Sequence, residues 1–330
     1  MMKHLVLSEY GTSLGITEER CVVKQRGEVI AEYPLSRLYT ITIAKEGVSI
    51  SSNCIQECAL RGIRLFFLNR IGECTAALSG IRSHGVGETR RNQVLFLENG
   101  IASADLAIRV IYGKIRNQRA TLCYLAKSSP SLAHHFMPTI EALASAAKSL
   151  ANEAPLKSDI RPSILGIEGA AAHLYWDAWV SANIFPSNFR GRSGRGAGDV
   201  VNAALNYGYG VLSGRIWNAL LIAGLEPYLG FYHTIRPGKP SLVLDLMEEY
   251  RPWCVDRIIL KNRTLFSTTM NGLTSELKKR IIEGVESCFA THYTYHGRKL
   301  SLDSILQRQV YRLCGLFAHQ KKYKPYLFKW

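Results

Sequence analysis

The spacing of apolar and polar positions changes once along this chain. Over the first 80 or so residues it is short and strand-like: "HLVLSE", "SLGI", "CVVKQ", "EVIAEYP" and "LYTITIAKEGVSIS" are β-branched runs separated by turn residues. Arg26-Gly27, between the third and fourth of these, predicts a hairpin turn. "NCIQECALRG" predicts a short helix stopped by Gly62, and "IRLFFLN" returns as a strand. The Gly- and Ser-rich stretch "LSGIRSHGVGE", residues 79 to 88, predicts a linker. From "RRNQVLFLENGIASADLAIRVIYGKIRNQRATLCYLA" onwards the period becomes helical, and helices are expected to the C-terminus. The expected fold is therefore α+β: a small N-terminal β domain over residues 1–85 and a larger all-α domain over 86–330, with no internal repeat.

Composition adds a charge asymmetry to this division. At 47% hydrophobic and 20% charged, the 330 residues can bury a substantial core. The net charge is +15. Residues 1–85 hold ten Lys and Arg against eight Asp and Glu, so +13 of that charge lies in the expected helical domain. A regional excess of this size points to a polyanion, with nucleic acid ahead of a merely solubilising basic surface. The opening "MMKHLVLSEYG" lacks the apolar core of a secretory signal, and no apolar run approaches the roughly 20 residues of a membrane span. The eight cysteines are scattered, without CxxC pairs, which predicts reduced core thiols and a cytoplasmic location.

Within the helical part, a few polar residues sit in apolar surroundings. "RPSILGIEGAAAHLYWDAW" predicts a helix in which Glu168 is the acid of an apolar and small-residue run, flanked by Gly166 and Gly169. Taken alone, Glu168 is either a carboxylate paired with an arginine or a ligand, with the flanking glycines leaving room for a phosphate backbone. "GLEPYLGFYHTIRPGKPSLVLDLMEEYRP" contains His233 and then Asp245, Glu248 and Glu249. With Ser241 as a helix N-cap, Asp245 and Glu248 fall at i and i+3 on one face, and Glu249 is expected in solvent. One histidine with two or three carboxylates is a hard donor set suited to Mg²⁺ or Mn²⁺ rather than zinc. In the intervening segment Asp199 is expected to cap a helix on which Asn202, Asn206, Gly210 and Gly214 share a face. That stripe can serve tight helix packing or the site.

The blocks "ILGIEGAAAHLYW", "DVVNAALNYGYGVL", "GLEPYLGFYH" and "SLVLDLMEEYRP", in this order, together with "GKIRNQRATL", resemble the signature blocks of the CRISPR-associated integrase family Cas1. The resemblance spans essentially the whole chain. It implies a divalent-metal site (Mg²⁺ or Mn²⁺) formed by Glu168, His233 and Glu248, with Asp245 at a further acidic position beside it. It also implies a homodimer that joins the small partner Cas2 and inserts short duplex DNA, the prespacer, at the leader and repeat of a CRISPR array. The chemistry would be attack of a 3′-hydroxyl on a phosphodiester. Asp245 would orient His233, and Asn202 and Asn206 would brace the site or the DNA.

A duplex-binding face is expected from the basic positions. Arg90 and Arg91 open the helical domain, Lys114, Arg116 and Arg119 follow on the next helix, and Arg190, Arg192 and Arg195 alternate with glycines in a loop. In the tail "HQKKYKPYLFKW", lysines interleave with aromatics, which suits either phosphate contact with stacking or packing on the chain's own domain. Two rival functions stay open at this point: a non-catalytic double-stranded DNA-binding scaffold, and a metal-dependent phosphodiesterase of small molecules.

Overall fold

The computed structural model describes residues 3–70, 72, 74–80, 86–153, 161–193, 198–266, 272–319 and 321–329. The chain divides into two compact units, one comprising residues 1–84 with 206–218, the other 85–205 with 219–330.

The first unit begins with β1 (Lys3–Leu7), β2 (Thr12–Thr17), β3 (Arg20–Gln25), β4 (Glu28–Pro34), β5 (Leu38–Ile43) and the short β6 (Ser49–Ile50). Helix α1 (Ser52–Leu60), β7 (Arg64–Leu68) and β8 (Cys74–Leu78) follow. They form two four-stranded sheets, ordered β1-β5-β7-β8 and β4-β3-β2-β6. Parallel pairing of β1 with β5 and of β5 with β7 makes the first sheet mixed. Arg26 and Gly27 both adopt positive φ (51° and 90°), the left-handed pair that a two-residue hairpin needs, and β3 pairs antiparallel with β4 as expected. The core is lined by Leu14, Val23, Ile41 and Leu65, with the Cys54 and Cys58 thiols fully buried and unbridged. Strand β8 was not expected, because "CTAAL" is small-residue-rich and mostly exposed.

Residues 206–218 are the middle of the long helix α6 (Val200–Ile222). There the small-residue stripe has a packing reason. A Cβ at Gly210 would lie 1.3 Å from the Gly72 carbonyl oxygen, so the two backbones touch and only glycine is tolerated.

The second unit contains α2 (Val86–Glu98), α3 (Gly100–Ser128), α4 (Ala133–Ala151), α5 (Arg161–Ser181), the two ends of α6, and α7 (Ser241–Met247). It continues through a wide π-type turn at Pro252–Asp256 to α8 (Arg257–Lys261), α9 (Ser275–Ala290) and α10 (Leu302–His319). Helix α3 is central. Its buried face carries Leu106, Val110, Ile111, Ile115 and Leu122, and it packs against α4 and α5. The N-terminal β and C-terminal helical layout matches the expectation, and the helical unit also carries a hairpin, β9 (His292–Tyr295) with β10 (Arg298–Ser301). The hairpin turns at His296-Gly297, again both with positive φ. "HYTYHGRKLS" is four-residue strands around a His-Gly turn, too short to break a helical periodicity spread over neighbouring segments.

The tail beyond α10 is extended and docks on its own unit. Tyr323, Tyr326 and Phe328 are buried while Lys321, Lys322 and Lys324 face outwards. The aromatics thus serve packing, not stacking on a ligand.

Candidate active site

Helix α3 and the segment after α7 are tied by buried polar bonds. Pro252 has no N–H, and the turn that it opens is wider than an α-helix. The Asn117 amide donates to the Glu249 carbonyl (2.7 Å), and the Thr121 hydroxyl donates to that of Pro252 (2.9 Å). These bonds hold Glu248 against the part of α3 that carries Lys114.

Three acids and a histidine meet here. Asp245 is fully buried and accepts backbone N–H bonds from Phe231 (2.7 Å), Tyr232 (3.0 Å) and His233 (2.8 Å). Its Oδ1 also lies 2.7 Å from His233 Nδ1. A carboxylate only accepts, so Nδ1 carries a proton and donates to Asp245, and in the neutral ring Nε2 is the acceptor. The approach of the 230–233 backbone to Asp245 needs glycine at 230, since a Cβ there would stand 2.5 Å from Oδ2.

Glu168, from α5, and Glu248, which caps α7, converge on one cation. Lys114 Nζ lies 2.5 Å from Glu168 Oε1 and 2.7 Å from Glu248 Oε2. Arg251 donates to the other Glu248 oxygen at 2.6 Å, and the Tyr232 hydroxyl donates to Glu168 Oε2. Burial opposes the charge on Glu248, but Arg251, Lys114 and His233 outweigh it and hold the carboxyl below its ordinary range. Burial likewise opposes the Lys114 charge, and Glu248 and Glu168 outweigh it, keeping the ammonium protonated. Burial, with the Glu168 bond, pushes the Tyr232 phenol up. A 360 Å³ cleft, walled by Ser103, Ala104, Arg161 and residues 230–235, opens beside His233.

The donor chemistry of this set fits a hard divalent cation: two carboxylates from separate helices already share a positive charge. Glu248 Oε2 has its ion pair without a directed hydrogen bond, which leaves a lone pair unclaimed. The spacing fits the ammonium. Among the described residues no group of three His, Cys, Asp or Glu is set at metal-binding distances. A divalent ion would take the space that Lys114 now holds.

Several residues stand elsewhere than the sequence suggested. Ser241 does not cap α7; Pro240 is the cap, and the Ser241 hydroxyl donates to the carbonyls of Thr234 and Lys239. Glu249 is fully buried, not solvated: it accepts from the Tyr323 hydroxyl (2.7 Å) and the Tyr326 N–H (3.0 Å). The tail supplies both partners, 74 and 77 residues downstream, so no local pattern could have shown them. Lys114 is committed to the carboxylates rather than to an outer face, and Tyr232 and Arg251 are site residues that sequence reasoning passed over. Tyr232 was hidden in an aromatic run, although its position beside His233 was a usable signal.

Among the expected DNA contacts, Arg91 and Arg190 are exposed, and Arg90 is exposed with an ion pair to Glu226 at 3.4 Å. Arg116 is half-buried and donates to Tyr112, and Arg119 is half-buried with its Nε enclosed. Arg192 donates to the Asn202 side chain (2.9 Å), and Asn202 is fully buried, where it also bonds Asp199 and Gly191. Asn202 therefore braces the loop entering α6, which Asp199 caps as expected. Asn206 belongs to the first unit, and Arg195 lies outside the described residues.

The chain and its fold have known relatives. The family described as CRISPR associated protein Cas1 matches residues 5–285, and the chain belongs to it. It is 44% identical over 329 residues, all of each chain, to CRISPR-associated endonuclease Cas1 1 of Francisella tularensis subsp. novicida. To the protein of the same name from Pyrobaculum aerophilum it is 35% identical, covering 98% of this chain and 99% of the relative. Among solved structures, a casposase bound to its integration product superposes with a TM-score of 0.81 at 19% identity, over 98% of this chain and 93% of that one. A Cas1 protein from Thermotoga maritima gives 0.75 at 16% identity, over 98% and 100%.

Proposed function

We propose that this chain is a metal-dependent DNA integrase and endonuclease of CRISPR adaptation. It would join the 3′-hydroxyls of a prespacer duplex to the leader and repeat of a CRISPR array, as a homodimer working with Cas2. The observation that carries the reading is the convergence of Glu168 and Glu248 on one partly buried positive charge, with His233 oriented beside them by Asp245. The names of the relatives support the nuclease chemistry, and the fold likeness to one chain of a solved Cas6-RT-Cas1–Cas2 complex, of which this chain covers 36%, supports the partner.

Glu168, Glu248 and His233 would hold Mg²⁺ or Mn²⁺, which when bound supplies Lewis-acid charge to a phosphodiester. The chain's own residues set the remaining conditions. Asp245 fixes the His233 tautomer with Nε2 as the free acceptor, able to ligate or to take a proton from an attacking hydroxyl. Arg251 keeps Glu248 ionised. Tyr232 holds Glu168 from the side opposite Lys114. Lys114, once displaced from between the carboxylates, is a cation within reach of a phosphate oxygen.

The test is strand transfer of an end-labelled duplex into a supercoiled plasmid bearing a CRISPR array, with and without Cas2. Labelled plasmid is expected only with both the divalent ion and an intact 3′-hydroxyl. DNA binding with no transfer or cleavage under any metal would favour the scaffold reading.

A further inference from the structure

On the C-terminal side of the second unit, the β9–β10 hairpin, α10 and the tail enclose a cleft of 840 Å³, distinct from the acidic site. Six cations line it: Arg298 from the hairpin, Arg308 and Arg312 from α10, and Lys321, Lys322 and Lys324 from the tail. No described residue of its lining is acidic, and none of the six takes part in an ion pair among the described residues. Arg312 shows this most clearly. It donates to His296 Nε2 (2.6 Å) and lies over the Tyr295 ring at 5.4 Å. Neither a histidine nor a tyrosine ring supplies a negative charge to offset the arginine. The chain has gathered like charge from three elements without neutralising it, at a repulsive cost that a bound polyanion would relieve.

The cleft is also stiff. Tyr323, Tyr326 and Phe328 anchor the tail in the core. Gln309 donates to the Lys324 carbonyl (2.9 Å), and a Cβ at Gly113 would lie 2.6 Å from the Pro325 ring. The tail lysines therefore project from a fixed backbone, and little order would be lost on binding. Between the cations lie flat or apolar groups: Tyr311, 51% exposed, and Leu300. A single strand alternates phosphates with bare bases and matches both features, whereas a duplex would use only the charge.

We infer that this cleft binds single-stranded DNA, holding its phosphates on the six cations and a base against Tyr311. The choice of DNA among polyanions rests on the function proposed above; the existence of the site does not.

Binding of a labelled 20-nucleotide oligo(dT) to the full-length protein, titrated by fluorescence anisotropy in EDTA across a salt series, tests it without strand chemistry. The double variant Arg308→Gln/Lys321→Gln changes exposed side chains and should keep the wild-type melting temperature. Its affinity should fall about tenfold, with the log–log salt slope reduced by roughly 0.7 for each phosphate that is no longer neutralised. Tyr311→Ala should cost about fivefold or more with an unchanged slope, and Arg308→Lys/Lys321→Arg should bind normally. A blunt duplex of the same length, which offers no bare base to the ring, should lose less than about threefold in Tyr311→Ala. Unchanged affinity and slope for oligo(dT) would overturn the inference. So would equal losses for duplex and single strand, which would mark a general basic face, or displacement by polyglutamate at matched charge concentration, which would mark an acidic-peptide groove. Normal oligo(dT) binding by these variants beside loss of transfer in Glu248→Ala would sink this inference and leave the proposed function standing. Weakened binding without transfer activity in wild type would do the reverse.

Discussion

Glu248 and Glu249 are neighbours in the chain and are equally withdrawn from solvent, at 1% and 0% exposure, yet the two sides of their turn treat charge in opposite ways. Glu248 faces Arg251, Lys114 and His233, and is held ionised. Glu249 faces the tail, where a tyrosine hydroxyl and a backbone N–H are its partners, and burial pushes its carboxyl up to about 8. The same residue type at the same depth thus becomes a charged group in a cluster of cations on one side and a neutral hydrogen-bonding group in a packed seam on the other. Burial alone says nothing of role; the elements brought opposite do. Among the described residues the cations gather on the Glu248 side, and that is the side proposed for chemistry.

The largest expected effect breaks that side. Glu168→Ala, His233→Ala and Glu248→Ala should each reduce strand transfer to background while duplex binding stays within about threefold, because affinity comes from the basic residues. Substantial transfer by any of them in Mn²⁺ would remove that residue from the ligand set. Asp245→Asn comes next. Four donors face that carboxylate, and an amide must turn its NH₂ against some of them. Transfer should fall about 10–100-fold, with a matching rise in the metal concentration needed for half activity.

A smaller effect sharpens the Glu249 side. Its folded pKa is raised, so the folded protein holds a proton that the unfolded chain releases above about pH 4.3. That stabilising difference is complete below the unfolded value and is lost as pH rises towards 8. Glu249→Gln can accept from Tyr326 and donate to Tyr323, so it should be near neutral at pH 5 and stabilising at pH 8.5. Thermal melts at the two pH values decide it; a variant less stable at pH 8.5 would mean that the carboxylate is charged and partnered. The smallest effect separates two loop arginines. Arg190→Lys should change nothing measurable. Arg192→Lys should lose about 1 kcal/mol of local order with the Asn202 bond, seen as faster amide exchange near residues 191–202.

These contrasts also locate where sequence reasoning reaches. The β-to-helix change, the Arg26-Gly27 turn and the Asp199 cap were legible because each is set by neighbours within a few residues. Asp245 and Glu248 stood out as acids in an apolar run, and both are buried, with different partners. The fate of Glu249 was not, since its partners Tyr323 and Tyr326 are distant in sequence, nor was the place of Lys114, whose two carboxylates lie on other elements. The tail illustrates both limits: its alternating lysines and aromatics were plain to read, but only packing shows that the rings turn inwards and the ammonium groups outwards.

Glu168, His233 and Glu248 are proposed to form a divalent-ion site in the space between the carboxylates that Lys114 occupies. Calorimetric titration of Mn²⁺ into wild type and the three alanine variants, without DNA, tests it most directly. Wild type should bind a single equivalent per chain saturably, and Glu168→Ala, His233→Ala and Glu248→Ala should each lose that binding. Lys114→Met should bind more tightly, because no ammonium then competes for the carboxylates. Binding that persists unchanged in the alanine variants, or a Lys114→Met protein that binds no better than wild type, would contradict it.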